Sequence, residues 1–425
     1  MTRRRRLLWI VPVAALGGGG AGRNLAAQDT PTNNCVSCHE IMPVERLSDP
    51  VKAFADDIHA ERGFSCVACH GGDPTAPGLS GMDPARGFMG KPTGQTVLQV
   101  CGRCHSDAAF MRQYNPGLRV DQVAEYVTSV HGQRLTAFGD TNVATCVSCH
   151  PAHDIRPPSD PLSSVHPANV ATTCGACHAS AEHMASYDIK IDQVALYQRS
   201  IHYEVLSDRG DLSAPTCNDC HGNHGAAPPN VDWVGNVCGQ CHSVMADYFK
   251  NSRHSQILSM LGAPGCATCH GNHEIQAADD RMLGLGEGAV CRRCHTSEVG
   301  GGAVAASMRR LIDSLVSDFA VADSLLTSAE RAGMEVSEAL FDLRGAQNNM
   351  LQARTAIHSF SVDSVRLHVG EGLEVTSTAR VRGVSALDEL RFRRVGLGVS
   401  SAIIVLFILG LVLKIRQIER DTPII

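Results

Sequence analysis

All 18 cysteines of this 425-residue chain fall in one arrangement, Cys-x-x-Cys-His, which occurs nine times. The pairs are Cys35/Cys38, Cys66/Cys69, Cys101/Cys104, Cys146/Cys149, Cys174/Cys177, Cys217/Cys220, Cys238/Cys241, Cys266/Cys269 and Cys291/Cys294. The histidines that close them are His39, His70, His105, His150, His178, His221, His242, His270 and His295. Two thiols two residues apart can form thioethers with both vinyl groups of one porphyrin, and the adjoining histidine then lies under the iron as its proximal ligand. Zinc is the competing chemistry. Cys217/Cys220 and Cys238/Cys241 have the spacing of a zinc ribbon, but the other gaps fit less well. With 20 histidines in 425 residues, finding one after all nine pairs is not chance. Neither a thioredoxin-like motif nor a disulfide framework would need it. The residues imply nine covalent c-type haems.

A larger repeat surrounds the motifs. Four times an aromatic residue stands five positions before a histidine, as Phe54/His59, Tyr126/His131, Tyr197/His202 and Phe249/His254. Between them lie Asp57, Ser129, Ser200 and Ser252 respectively, and Asp121–Tyr126 and Asp192–Tyr197 both read Asp-Gln-Val-Ala-x-Tyr. Two motifs follow each such histidine, so the plan is a leading motif at Cys35 and four repeats of two. In three repeats the first motif continues as Cys-His-x-x-His, giving His153, His224 and His273, whereas the first repeat has Asp73 at that place. These seven histidines are candidate second axial ligands. His166 follows Ser164-Val165 and echoes the Ser-x-His element, while His183 matches no part of the repeat but completes a set of nine. Nine proximal and nine second histidines would make every iron six-coordinate, low in potential and closed to substrate. His358 and His368 lie beyond the motifs, with His358 the natural substitute if one of the nine is not a ligand. Met42 could raise one haem's potential, but no methionine is tied to the repeat.

From Cys35 to His295 each motif has about 30 residues, too few to build a sheet or a packed protein core around it. The spacing predicts a mainly α domain with extensive irregular structure, in which short helices and Gly/Pro-rich loops surround stacked haems that supply the apolar interior. An aromatic content of 4% agrees with an interior filled by something other than side chains. Past Gly300-Gly301-Gly302, read as a linker, Met308, Leu311, Leu315, Phe319 and Leu326 recur at helical spacing. Val336, Leu340, Leu343, Met350 and Ile357 do the same after a turn at Gly333. The segment from Phe360 towards Arg394 reads as less regular because Gly370, Gly372 and Gly383 interrupt it. The expected limits are a signal peptide over 1–27, a haem domain over 28–299, a helical stalk or bundle over 300–392, a transmembrane helix over 393–414 and a tail over 415–425.

Arg3 to Arg6, the short apolar run Leu7 to Leu16 and the small residues at Ala26-Ala27 read as an export signal. Val395 to Leu413 carries no charge, is flanked by Arg393, Arg394, Lys414 and Arg416, and has the length of one helix across a bilayer. Export then places the haem domain on the periplasmic, extracytoplasmic side and the tail from Lys414 in the cytoplasm. The span holds no histidine, cysteine or ionisable group, so it can neither ligate a haem nor accept a proton from quinol. It is expected to be a tether beside a separate integral membrane subunit, either quinol-oxidising or a b-type cytochrome. A formal net charge of -6 excludes a generally basic, nucleic-acid-binding surface and favours a redox partner with a basic docking face.

From Cys35 to His295 the chain resembles the multihaem c-type cytochromes with paired haem motifs, which include small periplasmic tetrahaem proteins and larger chains attached to respiratory membranes. The resemblance implies a chain of haems close enough for electron hopping, between a membrane quinol-oxidising donor and a periplasmic acceptor. Well-known quinol-dehydrogenase cytochromes of this broad class carry an N-terminal anchor, whereas the anchor here is C-terminal. The alternative is an oxidoreductase acting on a small nitrogen or sulfur compound at one open-site haem. No Lys follows any Cys-x-x-Cys, unlike the catalytic motif of pentahaem nitrite reductases, although hydroxylamine-oxidising relatives keep histidine throughout.

Overall fold

The computed structural model describes residues 33–230 and 234–421. The signal-peptide reading of 1–27 and the end of the tail lie outside the described residues. Among those residues the structure is helical with irregular connections and contains no strand. They fall into two compact bodies, one running to Thr96 and including Ala152–Ile155, the other holding Val97–Pro151 and the chain from Arg156 onward.

Through the motif region the helices are short. Several are little more than the motif itself, such as Asn34–His39, Val67–His70, Cys217–His221 and Gly265–His270. Thr145 and Thr216 begin two of them with reciprocal capping boxes that satisfy the first-turn amides just ahead of Cys146 and Cys217. Few large apolar side chains are fully buried there, Leu135 among them.

Three long helices follow, Gly301–Arg331, Ser337–Ala356 and Val362–Asp421. The periodic apolar positions face one another: Met308, Ile312, Leu315, Met350, Val365 and Val369 form one cluster. Leu326, Met334, Val336, Leu343 and Ala379 form the next. Gly333 takes φ 81° in the turn between the first two helices, as its position predicts.

Two expectations need correcting. The third segment is an unbroken 60-residue helix, not an irregular one. Glycine inside a helix costs about 1 kcal/mol relative to Ala, but here close packing needs it. A Cβ on Gly372 would lie 2.8 Å from the Leu315 methyls, and one on Gly383 would lie 2.8 Å from Leu325 Cβ. Nor is Gly300-Gly301-Gly302 a loose linker, because Gly301 and Gly302 start the first stalk helix and pack tightly. A Cβ on Gly301 would lie 2.3 Å from Cε1 of His295.

The lower part of the third helix contains a window with mean hydropathy 2.6 and no buried residue, long and apolar enough to cross a membrane. At the other end, the stalk is fastened to the motif region. Arg354 makes a bidentate pair with Asp280 at 2.7 and 2.9 Å, Arg309 donates to the Asp280 carbonyl, and Leu283 enters the bundle core.

Candidate haem centres

The recurring spacing within the repeat has a local cause. Asp57, Ser129, Ser200 and Ser252 are buried N-caps of short helices, and the histidine is the second residue of each helix. The Ser129 hydroxyl accepts from the Gly132 amide at 2.8 Å and donates to the Tyr126 carbonyl at 2.6 Å. Ser200 and Ser252 accept from the amides of Tyr203 and Ser255. The aromatic residue fixes the approach to the next motif: the Tyr126 hydroxyl donates to Ala144 O at 2.7 Å and that of Tyr197 to Pro215 O at 3.0 Å, each two residues before a motif cysteine. Burial raises both phenols above their ordinary pKa, so they remain donors.

The first residue of these capped helices then hydrogen-bonds a distant carbonyl. Ile58 N donates to Ile155 O at 2.9 Å, Val130 N to Ala226 O at 3.1 Å and Ile201 N to Ile275 O at 2.8 Å. Each acceptor lies two residues past a Cys-His-x-x-His histidine: His153, His224 and His273. The turn that brings those histidines round needs a left-handed residue. Gly222 and Gly271 supply it with φ 85° and 76° directly after the proximal histidine. Pro151 occupies that place after His150 and cannot, and there His153 itself adopts φ 73°.

These elements set histidine rings face to face. His70 faces His153 with centroids 5.9 Å apart, His150 faces His224 at 6.5 Å, His221 faces His273 at 6.0 Å and His270 faces His358 at 6.1 Å. Their planes are within 8° to 22° of parallel. His131 faces His178 at 6.1 Å, His202 faces His242 at 6.4 Å and His254 faces His295 at 6.1 Å, with angles of 63°, 34° and 68°. Every pair joins one motif histidine to one outside the motifs. A metal bound at about 2 Å to a nitrogen of each imidazole sets the centroids about 6 Å apart, so the pairs fit an iron held between them.

Hydrogen bonds orient several rings for such a role. Nδ1 lies 2.8 Å from Gly90 O in His70, 3.2 Å from Ala227 O in His221, 3.3 Å from Leu47 O in His39 and 3.0 Å from Thr355 O in His358. In His59 it lies 2.9 Å from the Asp57 carboxylate. A proton held on Nδ1 leaves Nε2 as the metal-binding nitrogen. Burial, helped by the facing ring, lowers the pKa of at least one histidine in each pair, as for His131, His150, His153, His202, His254, His270 and His273. The neutral imidazole that ligates a metal is thereby favoured.

The nine second histidines expected from counting are therefore not the set the geometry assembles. His358, from the stalk, faces His270. No proximal ring stands opposite His166 or His183 among the described residues. The Nδ1 of His166 accepts from the Ala168 amide at 3.3 Å, which puts the proton of the neutral ring on Nε2. The ring of His183 meets Tyr187 instead, at 6.1 Å. Asp73, in the place of a second histidine, accepts from Thr75 and pairs with Arg86 at 2.6 Å. The three Cys-His-x-x-His histidines each lie opposite the proximal ring of the first motif of the preceding repeat. Only the motif at Cys35 precedes the first repeat in this sequence, and no such first motif stands there for position 73 to serve.

None of the 18 cysteines is in a disulfide or fully buried. Among the described residues no three His, Cys, Asp or Glu side chains converge as a zinc site requires. The thiol of Cys101 hydrogen-bonds that of Cys146, Cys174 that of Cys217, and Cys238 that of Cys266. Between these pairs, Cys149 is within electrostatic range of Cys177, Cys220 of Cys241, and Cys269 of Cys291 and Cys294. The motifs thus follow one another in space in chain order from Cys101 to Cys294. In the other body, Cys66 is likewise near Cys35.

The exposure of the motif cysteines differs along the chain. Cys38, Cys69, Cys241 and Cys294 are exposed, whereas Cys104, like the other motif cysteines, is half-buried. Cys38, Cys69 and Cys104 are marked as attachment residues by the Cys-x-x-Cys-His spacing.

Residues 212–296 match the family model for cytochrome c3, a stretch that takes in the motifs at Cys217, Cys238, Cys266 and Cys291. No curated protein and no solved structure matches the chain. The match supports a multihaem c-type cytochrome with covalently bound haem and, in general terms, haem-based electron transfer.

Proposed function

We propose that the chain is a nine-haem electron conduit, with each Cys-x-x-Cys-His motif holding one covalent c-type haem and most irons closed by a second histidine. Cys38, Cys69 and Cys104 are included as thioether donors, on the strength of their motifs. The observation that carries this reading is the set of apposed histidine rings with centroids 5.9–6.5 Å apart, each combining a proximal ring with one from elsewhere. His131, His153, His202, His224, His254 and His273 are the second ligands so assigned, and His59 joins them through its place in the repeat and the Asp57 contact that orients its ring. Irons with two histidines are low-spin and have no position for substrate, which is the chemistry of relay rather than of turnover. Haem supplies the one-electron redox couple; the protein supplies ligands, spacing and orientation.

The long apolar helix is proposed to anchor this conduit in a cytoplasmic membrane with the motifs on the extracytoplasmic side. Electrons would then pass between a membrane-linked, quinol-oxidising or b-type donor subunit and an extracytoplasmic acceptor. One observation favours a second reading at one centre only. Among the described residues no second imidazole faces His39, so the haem at Cys35 and Cys38 is where an oxidoreductase with a small nitrogen or sulfur substrate would keep its open iron.

The test is to purify the full chain in detergent and combine denaturing mass, spin state and carbon monoxide titration. The conduit reading expects nine covalent haems, dominantly low-spin iron, and at most one carbon monoxide per chain. Bound zinc, free thiols, or several carbon-monoxide-binding irons would overturn it.

A further inference from the structure

The geometry points to a role for the stalk inside the haem array: the turn Ile357–Phe360 takes the place of a fifth repeat's Cys-His-x-x-His loop, with His358 as second axial ligand of the haem at Cys266/Cys269. This rests on the reading of facing histidines as axial pairs given above.

The register of the repeat makes the argument. The first motif of a repeat has its proximal ring faced by the Cys-His-x-x-His histidine of the following repeat: His70 by His153, His150 by His224, His221 by His273. Cys266 opens the last repeat, and no further Cys-His-x-x-His follows it in the sequence. The ring found opposite His270 is that of His358, at 6.1 Å and 22°, within the near-parallel geometry of the other three pairs. Its Nδ1 lies 3.0 Å from Thr355 O, so the proton is held there and Nε2 is the free nitrogen.

The neighbouring residue repeats the pattern as well. Two positions past each Cys-His-x-x-His histidine, a residue lies against the capped histidine helix of the preceding repeat. For Ile155, Ala226 and Ile275 the contact is a backbone hydrogen bond. Two positions past His358 is Phe360, whose ring stacks on His254 at 3.7 Å. His254 is the histidine of the last capped helix, Arg253–Met260. Phe360 also adopts φ 53°, a left-handed conformation in a non-glycine residue, comparable with φ 73° at His153. Repeat arrays need a distinct terminal element because the last repeat lacks a neighbour. Here a helical turn supplies ligand and packing contact together.

The test uses the full-length chain in detergent and compares His358→Ala with His273→Ala, a pair internal to the repeat. Both are expected to keep nine covalent haems by mass, because thioether attachment does not involve these rings. Each should gain a high-spin signal and bind one more carbon monoxide than the parent, and added imidazole should reverse both changes in His358→Ala. If His273→Ala opens an iron and His358→Ala does not, the stalk ligand is wrong while the axial-pair reading stands. If neither opens one, both fall. His358→Met guards against misfolding of the alanine variant: a thioether on that iron should keep it low-spin and raise the potential of one haem. An unchanged set of potentials would overturn the proposal.

Discussion

The amide of Val130 donates to the carbonyl of Ala226 at 3.1 Å, and these two residues flank different histidines. Val130 precedes His131, which faces His178; Ala226 follows His224, which faces His150. One backbone bond thus fixes two ring pairs against each other, and the same bond recurs between Ile201 and Ile275. The first motif of a repeat thus has its ring faced from the following repeat, whereas the second motif is faced by the capped histidine of its own.

Loss of a cap should therefore be felt at an iron. Ser129→Ala removes the acceptor for Gly132 N and should cost about 1 kcal/mol. Because His131 is the next residue but one, a fraction of the haem at Cys174/Cys177 should become high-spin on mild heating before the bulk transition. The same substitution at Ser180, also an N-cap but not ahead of an assigned ligand, should leave the spin state unchanged.

Ring orientation gives a spectroscopic prediction. Near-parallel imidazoles lift the degeneracy of the iron d orbitals that point between them, whereas strongly twisted ones leave it nearly intact. His131/His178 and His254/His295 at 63° and 68° should give two highly axial low-spin electron paramagnetic resonance signals. The four near-parallel pairs should give rhombic ones. A spectrum with rhombic signals alone would contradict the geometry.

Gly301 carries a third prediction. A side chain there would meet the His295 ring. Gly301→Val should shift the potential or spin state of the haem at Cys291/Cys294 while leaving haem content unchanged. Redox titration of the variant beside Gly286→Ala, which has open space around its Cβ position, separates this from a general loss of stability.

The stalk core should behave as an ordinary packed core. Leu315 is fully buried between Met308, Ile312 and the third helix. Leu315→Ala should cost about 2–5 kcal/mol, read as a lower midpoint for loss of helical circular dichroism. If the turn Ile357–Phe360 is held by this bundle, the same variant should loosen His358, and carbon monoxide binding should rise at lower temperature than in the parent.

How much of this was legible beforehand follows from what kind of signal each feature leaves. Haem attachment and the capped histidines are local, so their spacing survives in the sequence. The stalk's apolar stripe at Met308, Leu315 and Leu326 was equally readable, because burial follows helical period. His358 was not assignable: its partner is set by the absence of a following repeat, and nothing beside it resembles Cys-His-x-x-His. His166 shows the opposite case, since Ser164-Val165-His166 copies a repeat element while its Nδ1 accepts a backbone amide. The outward setting of Cys38 and Cys69 left no trace either, because identical motifs read alike whatever lies beside them. Gly370, Gly372 and Gly383 read as breakers because propensity is local, whereas the close approach that Gly372 and Gly383 permit to Leu315 and Leu325 is tertiary.

The unbroken third helix has a further consequence for where electrons can enter. It starts at Val362, beside the histidines facing His270 and His295, and its uncharged stretch begins at Val395. At about 1.5 Å per residue, the intervening 33 residues give a helical segment about 50 Å long, and on the proposed anchoring this separates those two centres from the bilayer. Tunnelling falls exponentially with distance and does not bridge such a gap in one step. A quinone site buried in the membrane cannot by itself exchange electrons with this end of the array. On the proposed anchoring the helix works as a mast, and a redox partner that meets the centres proposed there stands well clear of the lipid.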